Sequence, residues 1–447
     1  MKDLTVGKEG KLILNFAIPM LIGNVLQQFQ QIINGVIVGK FLGNTAIAAV
    51  GASFPIIFLL ISLIIGIAMG LTIMVSQYFG AKDYENVRKC SDIMYIVLII
   101  ASFVLTFAGI FSSEYIFKLT HLPAAVLPEA VLYLNTNLYG LFFLFLYHGL
   151  SALLRGIGDS ITPLYFLATA TVINIILDLL FILVFHMGVE GTAYATIISQ
   201  TIACVWGLIY INKKYPMVKL RLTNVTFDKI LFIKGVKIGL PSGLQQAFVA
   251  LGMVALGGIV NGFGTISLAA YSIASRIDSF ALLPAMNFSQ ALSTFTGQNL
   301  GAGKSERVKT GYISTLKMNS YISIALSVIV MTFSHQLMRF FTNDEAVVEQ
   351  GVNYLLIVGA FYLVFSTMFV NNGVMRGAGD TLVPMFITLF ALWVIRIPVS
   401  WFLSKHFGEI GIWWGIPIAW FIGMLFSYIY YRTGKWKTKA VIKQKLE

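Results

Sequence analysis

Charge is what this sequence has least of. Only 11% of its 447 residues are Asp, Glu, Lys or Arg, while 57% are hydrophobic. A water-facing domain carries roughly a quarter charged residues. Water is therefore not the solvent for most of this chain, and a soluble enzyme or binding module is excluded. Cysteine is nearly absent too. Cys204 sits in an apolar run and Cys90 beside a basic loop, so neither a disulfide nor a cysteine metal cluster is expected. Segments of about ten residues with alternating polarity are missing, which excludes a membrane barrel. The polar stretch Met1 to Lys11 leads into a long apolar run followed by others, so no cleavable leader is expected.

What is there is a series of apolar runs of spanning length, about twelve of them. They cover residues 14–36, 47–75, 93–112, 131–153, 162–186, 190–211, 232–260, 266–297, 312–334, 352–374, 382–404 and 410–431. The net charge of +12 is concentrated in the gaps between runs. Alternate gaps hold Lys82, Arg88, Lys89, Arg155, Lys213, Lys214, Lys219, Arg221, Lys304, Arg307 and Arg376, and the same side takes the N-terminal lysines and the tail from Arg432 to Lys445. The opposite gaps show only Lys40, Lys118, Arg339 and Lys405. Basic gaps face the cytoplasm. The expectation is a multi-pass protein of the cell (inner) membrane with both termini cytoplasmic. The basic excess is read as a topology signal that touches lipid headgroups, and no nucleic-acid partner is expected.

The two halves repeat. Leu154-Arg155-Gly156-Ile157-Gly158-Asp159 with Pro163 returns as Met375-Arg376-Gly377-Ala378-Gly379-Asp380 with Pro384. Gln77-Tyr78-Phe79-Gly80-Ala81 returns as Gln298-Asn299-Leu300-Gly301-Ala302, at the same offset of 221 (298 − 77 and 376 − 155). Gly43 returns as Gly264, and Pro19 returns as Pro241 one residue off register. The fold class expected is all-α: about twelve transmembrane helices in two six-helix lobes, residues 1–220 and 221–447, related by a pseudo-twofold axis along the membrane normal. Transporters with parallel repeats place substrate between such halves and rock one against the other around a central cleft.

Two motifs suggest enzymes and fail. Gly-Ile-Gly-Asp at 156–159 and Gly-Ala-Gly-Asp at 377–380 look like an intramembrane aspartyl protease signature, yet each aspartate falls in a turn beside an arginine and before a proline. Gly297 to Ser305 ends like a phosphate loop, but Gln298 stands where the first glycine belongs and no strand precedes it. No enzymatic activity is expected, and transport is powered by a gradient or is passive.

Asp178 is the strongest candidate site residue. It lies deep in an apolar run, where an acid costs a few kcal/mol and is kept mainly to face a cavity or a partner. Asn174 precedes it by one turn, on the same face. The alternative is a buried Asp–Asn pair that holds two helices together. Gln27, one heptad before Asn34, shares that residue's face. Gln27, Gln28, Gln30 and Gln31 cover every side of the first run and read as a polar wall of the cleft, or as interhelical hydrogen bonds. Tyr139, Gln245, Gln246, Asn371, Asp278, Arg276 and Arg396 are further cleft candidates. Arg276 and Asp278, two residues apart, point to different faces and need not pair, which leaves Arg396 to meet Asp278 or a substrate anion.

Taken together, Pro19 with Gln27, Val38-Gly39 with Gly43, Gln77 to Ala81, Leu154 to Asp159, Asn174 with Asp178, Gly239-Leu240-Pro241, Gln298 to Gly303 and Arg376 to Asp380 make the chain resemble the multidrug and toxic compound extrusion (MATE) family over nearly its whole length. The resemblance implies a two-lobed exporter of organic cations and lipophilic drugs, driven by inward Na+ or H+. It implies a cation-coupling site at Asp178 and Asn174 on the fifth span, with Asn34 and Gln27 beside them and Na+ held at Asp178 and Asn174. Family members commonly carry Asp where this chain has Asn34, so a two-carboxylate proton site is not available here. Acids that some members carry on the seventh and tenth spans are missing from Gln245 to Val249 and from Phe369 to Asn372. Beyond the coupling ion no cofactor is expected. The expected partners are organic cations and membrane lipids, acting on a monomer. The rival function is a flippase for lipids or lipid-linked sugars of the same superfamily.

Overall fold

A computed structural model describes residues 2–120, 122–221 and 223–442. The end of the basic tail, Lys443 and Lys445 included, lies outside the described residues. Helices make up nearly all of the rest. Ten are long and apolar enough to cross a membrane, and two bent pairs raise the number to as many as twelve. In the first half these are α1 (Glu9–Phe41), α2 (Gly43–Gly80), α3 (Tyr84–Leu119), α4 (Leu127–Tyr139) bent onto α5 (Leu141–Gly156), α6 (Ile161–Leu179) and α7 (Val189–Lys214). The second half has α8 (Lys229–Asn261), α9 (Thr265–Gly301), α10 (Ser305–Thr332), the short α11 (Ser334–Arg339), α12 (Glu345–Gly359) bent onto α13 (Tyr362–Gly377), α14 (Leu382–Leu389) running through a π-helical turn into α15 (Ile397–Phe407), and α16 (Glu409–Thr433).

The side chains that face out are apolar. On α3 alone Ile100, Phe103, Val104, Phe107 and Phe111 are all exposed and fall on one stripe. A stripe of that size on a water-soluble protein would drive aggregation; in lipid it is the ordinary outer surface. Both cysteines are buried and free.

Contacts divide the chain into two compact units. Unit 1 comprises residues 1–2 and 22–243, unit 2 residues 3–21 and 244–447. The chain changes unit inside α1 and again inside α8, each time two residues beyond a proline, Pro19 or Pro241. A proline in a helix removes one main-chain hydrogen bond and loosens that turn. The start of α8 belongs to unit 1, where Gly235, Gly239 and Gly243 lie against Gly66 and Gly70 of α2 so closely that no Cβ would fit. Backbones this near are held by van der Waals packing, the main cohesive force between helices in lipid. In unit 2 the start of α1 takes the matching place, with Ile13, Phe16 and Ala17 packed among Phe288, Ala291, Leu292 and Phe295.

The repeat is physical as well as textual. The bent spans break at Gly140 and at Phe361, 221 residues apart, by 51° and 48°. A Cβ on Gly156 would lie 2.8 Å from Val75, and one on Gly377 would lie 2.7 Å from Thr296, the residue 221 beyond Val75. Gly158 and Gly379 both take positive φ, +84° and +93°, where a side chain is strained.

Candidate functional site

Asp178 sits near the end of α6 and is fully buried. Thr171, Asn174 and Asp178 fall at heptad-like spacing on one face of that helix. Two residues past Asp178 the backbone widens into a π-helical turn, Leu180–Val184, a local change that recurs at functional sites. Asn174 is also fully buried. Its Oδ1 accepts from the Gln30 side chain at 2.7 Å, and its Nδ2 donates to Thr196 of α7 at 3.4 Å. Gln30 Oε1 in turn accepts from the Thr171 hydroxyl at 3.0 Å. The orientation of an amide is assigned from its neighbours. With its nitrogen toward the carboxylate, Asn34 donates to Asp178 Oδ2 at 2.9 Å and to Asn174 Oδ1 at 3.2 Å. The other carboxylate oxygen, Oδ1, is buried without a hydrogen-bond partner.

The site is thus one carboxylate, three amides and two hydroxyls, drawn from α1, α6 and α7. Neither an ion pair nor a charged hydrogen-bond donor reaches Asp178 among the described residues. An isolated buried carboxylate is expensive unless something positive joins it. No group of three or more His, Cys, Asp or Glu that could hold a metal occurs among the described residues. A single negative charge among amide and hydroxyl oxygens suits a hard ion of charge +1, and the open Oδ1 is where such an ion gains most.

Sequence reasoning put Gln27 in this site and Gln30 in a cleft wall. The structure brings Gln30 into the network, while Gln27 is exposed and makes no hydrogen bond among the described residues. Gln31 and Tyr139 are exposed as well. Thr171 and Thr196 were missed. Thr171 was within reach, because it lies seven residues before Asp178 on the same face. Thr196 comes from another span, and no local spacing points to it.

In unit 2 the candidates separate. Asp278 is buried and accepts from the Tyr354 hydroxyl at 3.2 Å through Oδ2, while its Oδ1 is buried without a hydrogen-bond partner. Arg396, which ends the π-helical turn Phe390–Arg396, forms no ion pair with it among the described residues. Gln245 is buried between Arg376, which donates to its Oε1 at 2.7 Å, and Thr388. Asn371 accepts from the Tyr312 hydroxyl at 2.9 Å and donates to Ser427 at 3.0 Å. Each of the three is tied by hydrogen bonds to other residues of unit 2. Gln246 is half-buried, and Arg276 is exposed.

The enzyme-like motifs are fully committed elsewhere. The Asp159 carboxylate accepts from the main-chain N–H groups of Ile161 (3.1 Å) and Thr162 (3.0 Å), and from the hydroxyls of Thr162 (2.7 Å) and Tyr215 (2.6 Å). Burial pushes its pKa up, but these hydrogen bonds outweigh that and hold it below the usual carboxylate range. Asp380 accepts from the Tyr430 hydroxyl at 2.6 Å. Each acid braces its own loop. In the phosphate-loop look-alike, Gln298 and Asn299 bind the main chain of Leu4, and Lys304 binds the carbonyl of Thr5.

A duplicated bundle of membrane helices with polar groups buried in its spans is an architecture found among membrane transporters. The MatE family profile matches residues 19–180 and again 241–402, one copy per half. The chain belongs to the MatE family. The probable multidrug resistance protein YpnP of Bacillus subtilis is 34% identical to it over 445 residues, covering 99% of both chains. The multidrug export protein MepA of Staphylococcus saprophyticus is 28% identical, over 91% of this chain and 90% of its own. A solved outward-facing multidrug resistance MATE transporter shares the fold with a TM-score of 0.92, at 23% identity over 97% of this chain and 98% of its own.

Proposed function

We propose that this protein is a secondary active antiporter of the cell membrane that exports amphipathic organic cations in exchange for inward Na+ or H+. The observation that carries the reading is Asp178: a fully buried carboxylate with one oxygen unpartnered and no positive neighbour among the described residues. The names of the curated relatives, multidrug resistance and multidrug export proteins, supply the substrate class.

Asp178 is the ion-binding acid. Asn34 and Asn174 orient it, Gln30 and Thr171 hold Asn174, and Thr196 ties α6 to α7. The bound ion supplies one positive charge, which neutralises Asp178. One charge moving inward gains roughly 2.3 kcal/mol per 100 mV of membrane potential. Exchange of one such ion for one monovalent drug cation is electrically silent, so the chemical gradient then drives it. Asn34 in place of an acid leaves one carboxyl at the site, so a single ion per cycle is carried here.

Expression in a host stripped of its own pumps tests the reading. Cells should accumulate less ethidium-like dye and tolerate more of it, and collapse of the Na+ or pH gradient should abolish the difference. Cells that gain no resistance to any cation, but lose flipping of a lipid-linked sugar when the protein is removed, would show a flippase instead. The basic gaps support cytoplasmic termini. Single cysteines replacing Lys213 and Lys439 should react with membrane-impermeant reagents only from the inside.

A further inference from the structure

Arg276 is an exposed cation well inside a span. It lies eleven residues from the start of α9, which at about 1.5 Å per residue is about 16 Å along the helix. Taking α9 to enter the hydrocarbon core, about 30 Å thick, at its first turn, this depth is near the core's middle. Arg276 takes part in no ion pair or hydrogen bond through its guanidinium among the described residues. Its sequence neighbour Asp278 is buried on another face, takes the Tyr354 hydroxyl and forms no ion pair with Arg276 among the described residues. Asp278 is therefore not its counter-ion. An unpaired guanidinium turned toward lipid at this depth is heavily penalised, so its exposed face looks onto a polar path.

The surroundings of Arg276 are polar along one stripe. Ser272 and Ser279 lie one turn either way of it and Ser275 directly precedes it. Each serine hydroxyl donates to a carbonyl of its own helix: Ser272 to Leu268, Ser275 to Ser272, Ser279 to Arg276. Their protons are spent, which leaves Arg276 as the stripe's donor. The residues 221 earlier on α2 are Gly51, Phe54, Pro55 and Phe58, and Phe54 and Phe58 lie against each other at 6.0 Å between ring centres. The duplication thus turned one apolar, aromatic stripe into a serine-flanked one carrying a fork of five N–H donors, the geometry that matches a carboxylate or phosphate.

We propose that Arg276 binds an acidic group, a carboxylate or a phosphate, on the transported molecule. Among the exported amphipathic cations, those that also carry an acidic group are then bound more tightly. This deepens the export reading above and rests on it for the transport step, while binding is measured separately.

The test uses the full-length protein in neutral phosphatidylcholine nanodiscs, with a rhodamine bearing a free carboxylate and the ethyl ester of that dye as probes. The two differ by one negative charge. Fluorescence polarisation should show Arg276→Gln weakening the free acid by about tenfold, in line with loss of a charge-assisted pair, and leaving the ester unchanged. Arg276→Lys should keep most of the affinity, and Arg276→Glu should reverse the preference. Equal affinity of wild type and Arg276→Gln for the free acid would overturn the proposal, as would equal weakening of acid and ester. Displacement of the acid by added phosphatidylglycerol, with no counterflow of the dye in proteoliposomes, would assign the arginine to a lipid phosphate and overturn it too. Specific binding of the acid through Arg276 without counterflow of either dye in any lipid would leave the site standing and remove the transport reading.

Discussion

The two units share a repeat and differ in their charge. In unit 1 the buried acid, Asp178, is surrounded by amides and hydroxyls, and no charged group pairs with it. In unit 2 the buried acid, Asp278, takes the Tyr354 hydroxyl on one oxygen, and its other oxygen has no hydrogen-bond partner. The fifth span has its π-helical turn beside an acid; the eleventh, its repeat partner, has one ending on a base. What duplication preserved is mechanical: the Gly156 and Gly377 contacts and the positive-φ glycines; both loop acids also take a tyrosine hydroxyl, though from positions that are not repeat partners. What diverged is electrostatic. The buried acid of unit 1 sits in a network of amides, whereas that of unit 2 takes a tyrosine hydroxyl.

The sharpest way to break this comparison is to neutralise each acid in turn. Asp178→Asn should cut gradient-driven dye counterflow in proteoliposomes by at least about a hundredfold, the scale of losing roughly 2.7 kcal/mol of ion binding. The protein should still fold and insert, because an amide in an amide network is well solvated. Asp278→Asn should change counterflow by no more than about threefold. Equal losses in the two variants would erase the distinction between the units.

A second test concerns Arg396 of unit 2. With no direct ion pair between Arg396 and Asp278 among the described residues, Arg396→Gln should lower stability in detergent by no more than about 1 kcal/mol in a thermal melt. In unit 1, Asn34→Asp adds a second carboxyl against Asp178. Two acids at that distance cannot both ionise, so one retains a proton. The ion preference should shift toward H+, seen as counterflow that responds more to a pH gradient than to Na+.

The smallest effects belong to the loops, where the units should behave alike. Tyr215→Phe and Tyr430→Phe each remove one hydrogen bond to a loop acid and should cost about 1 kcal/mol apiece. The contribution of Asp159 has a definite sign in pH. Its folded-state pKa is depressed, so its stabilisation is fully present above the ordinary aspartate range and is lost as pH falls through the folded value. Melting temperatures of wild type and Asp159→Asn should therefore converge in acid and separate near neutrality.

Much of this was legible in the chain itself. Span count, helical class and the repeat follow from apolar run length and from identical motifs at one offset, both of which are local. Asp178 and Asn174 were legible because a lone acid deep in an apolar run has few physical reasons to exist. The exchange of helix starts between units was not, because it depends on how Gly235 and Gly239 dock on a helix far away in sequence. Nor was the choice of Gln30 over Gln27. Four glutamines cover every side of α1, and which side meets α6 is decided by packing. Whether Arg396 meets Asp278 or a substrate anion is left open by the sequence, which gives depth in the membrane but not azimuth.

The most direct test of the account is the number of cations unit 1 holds. Purified protein in neutral nanodiscs should bind one radioactive Na+, or release one proton on Na+ or dye addition, per chain. Asp178→Asn should abolish that equivalent, and Asp278→Asn should leave it intact. Retention of the full equivalent by Asp178→Asn, or its loss in Asp278→Asn, would contradict the assignment of the ion to unit 1.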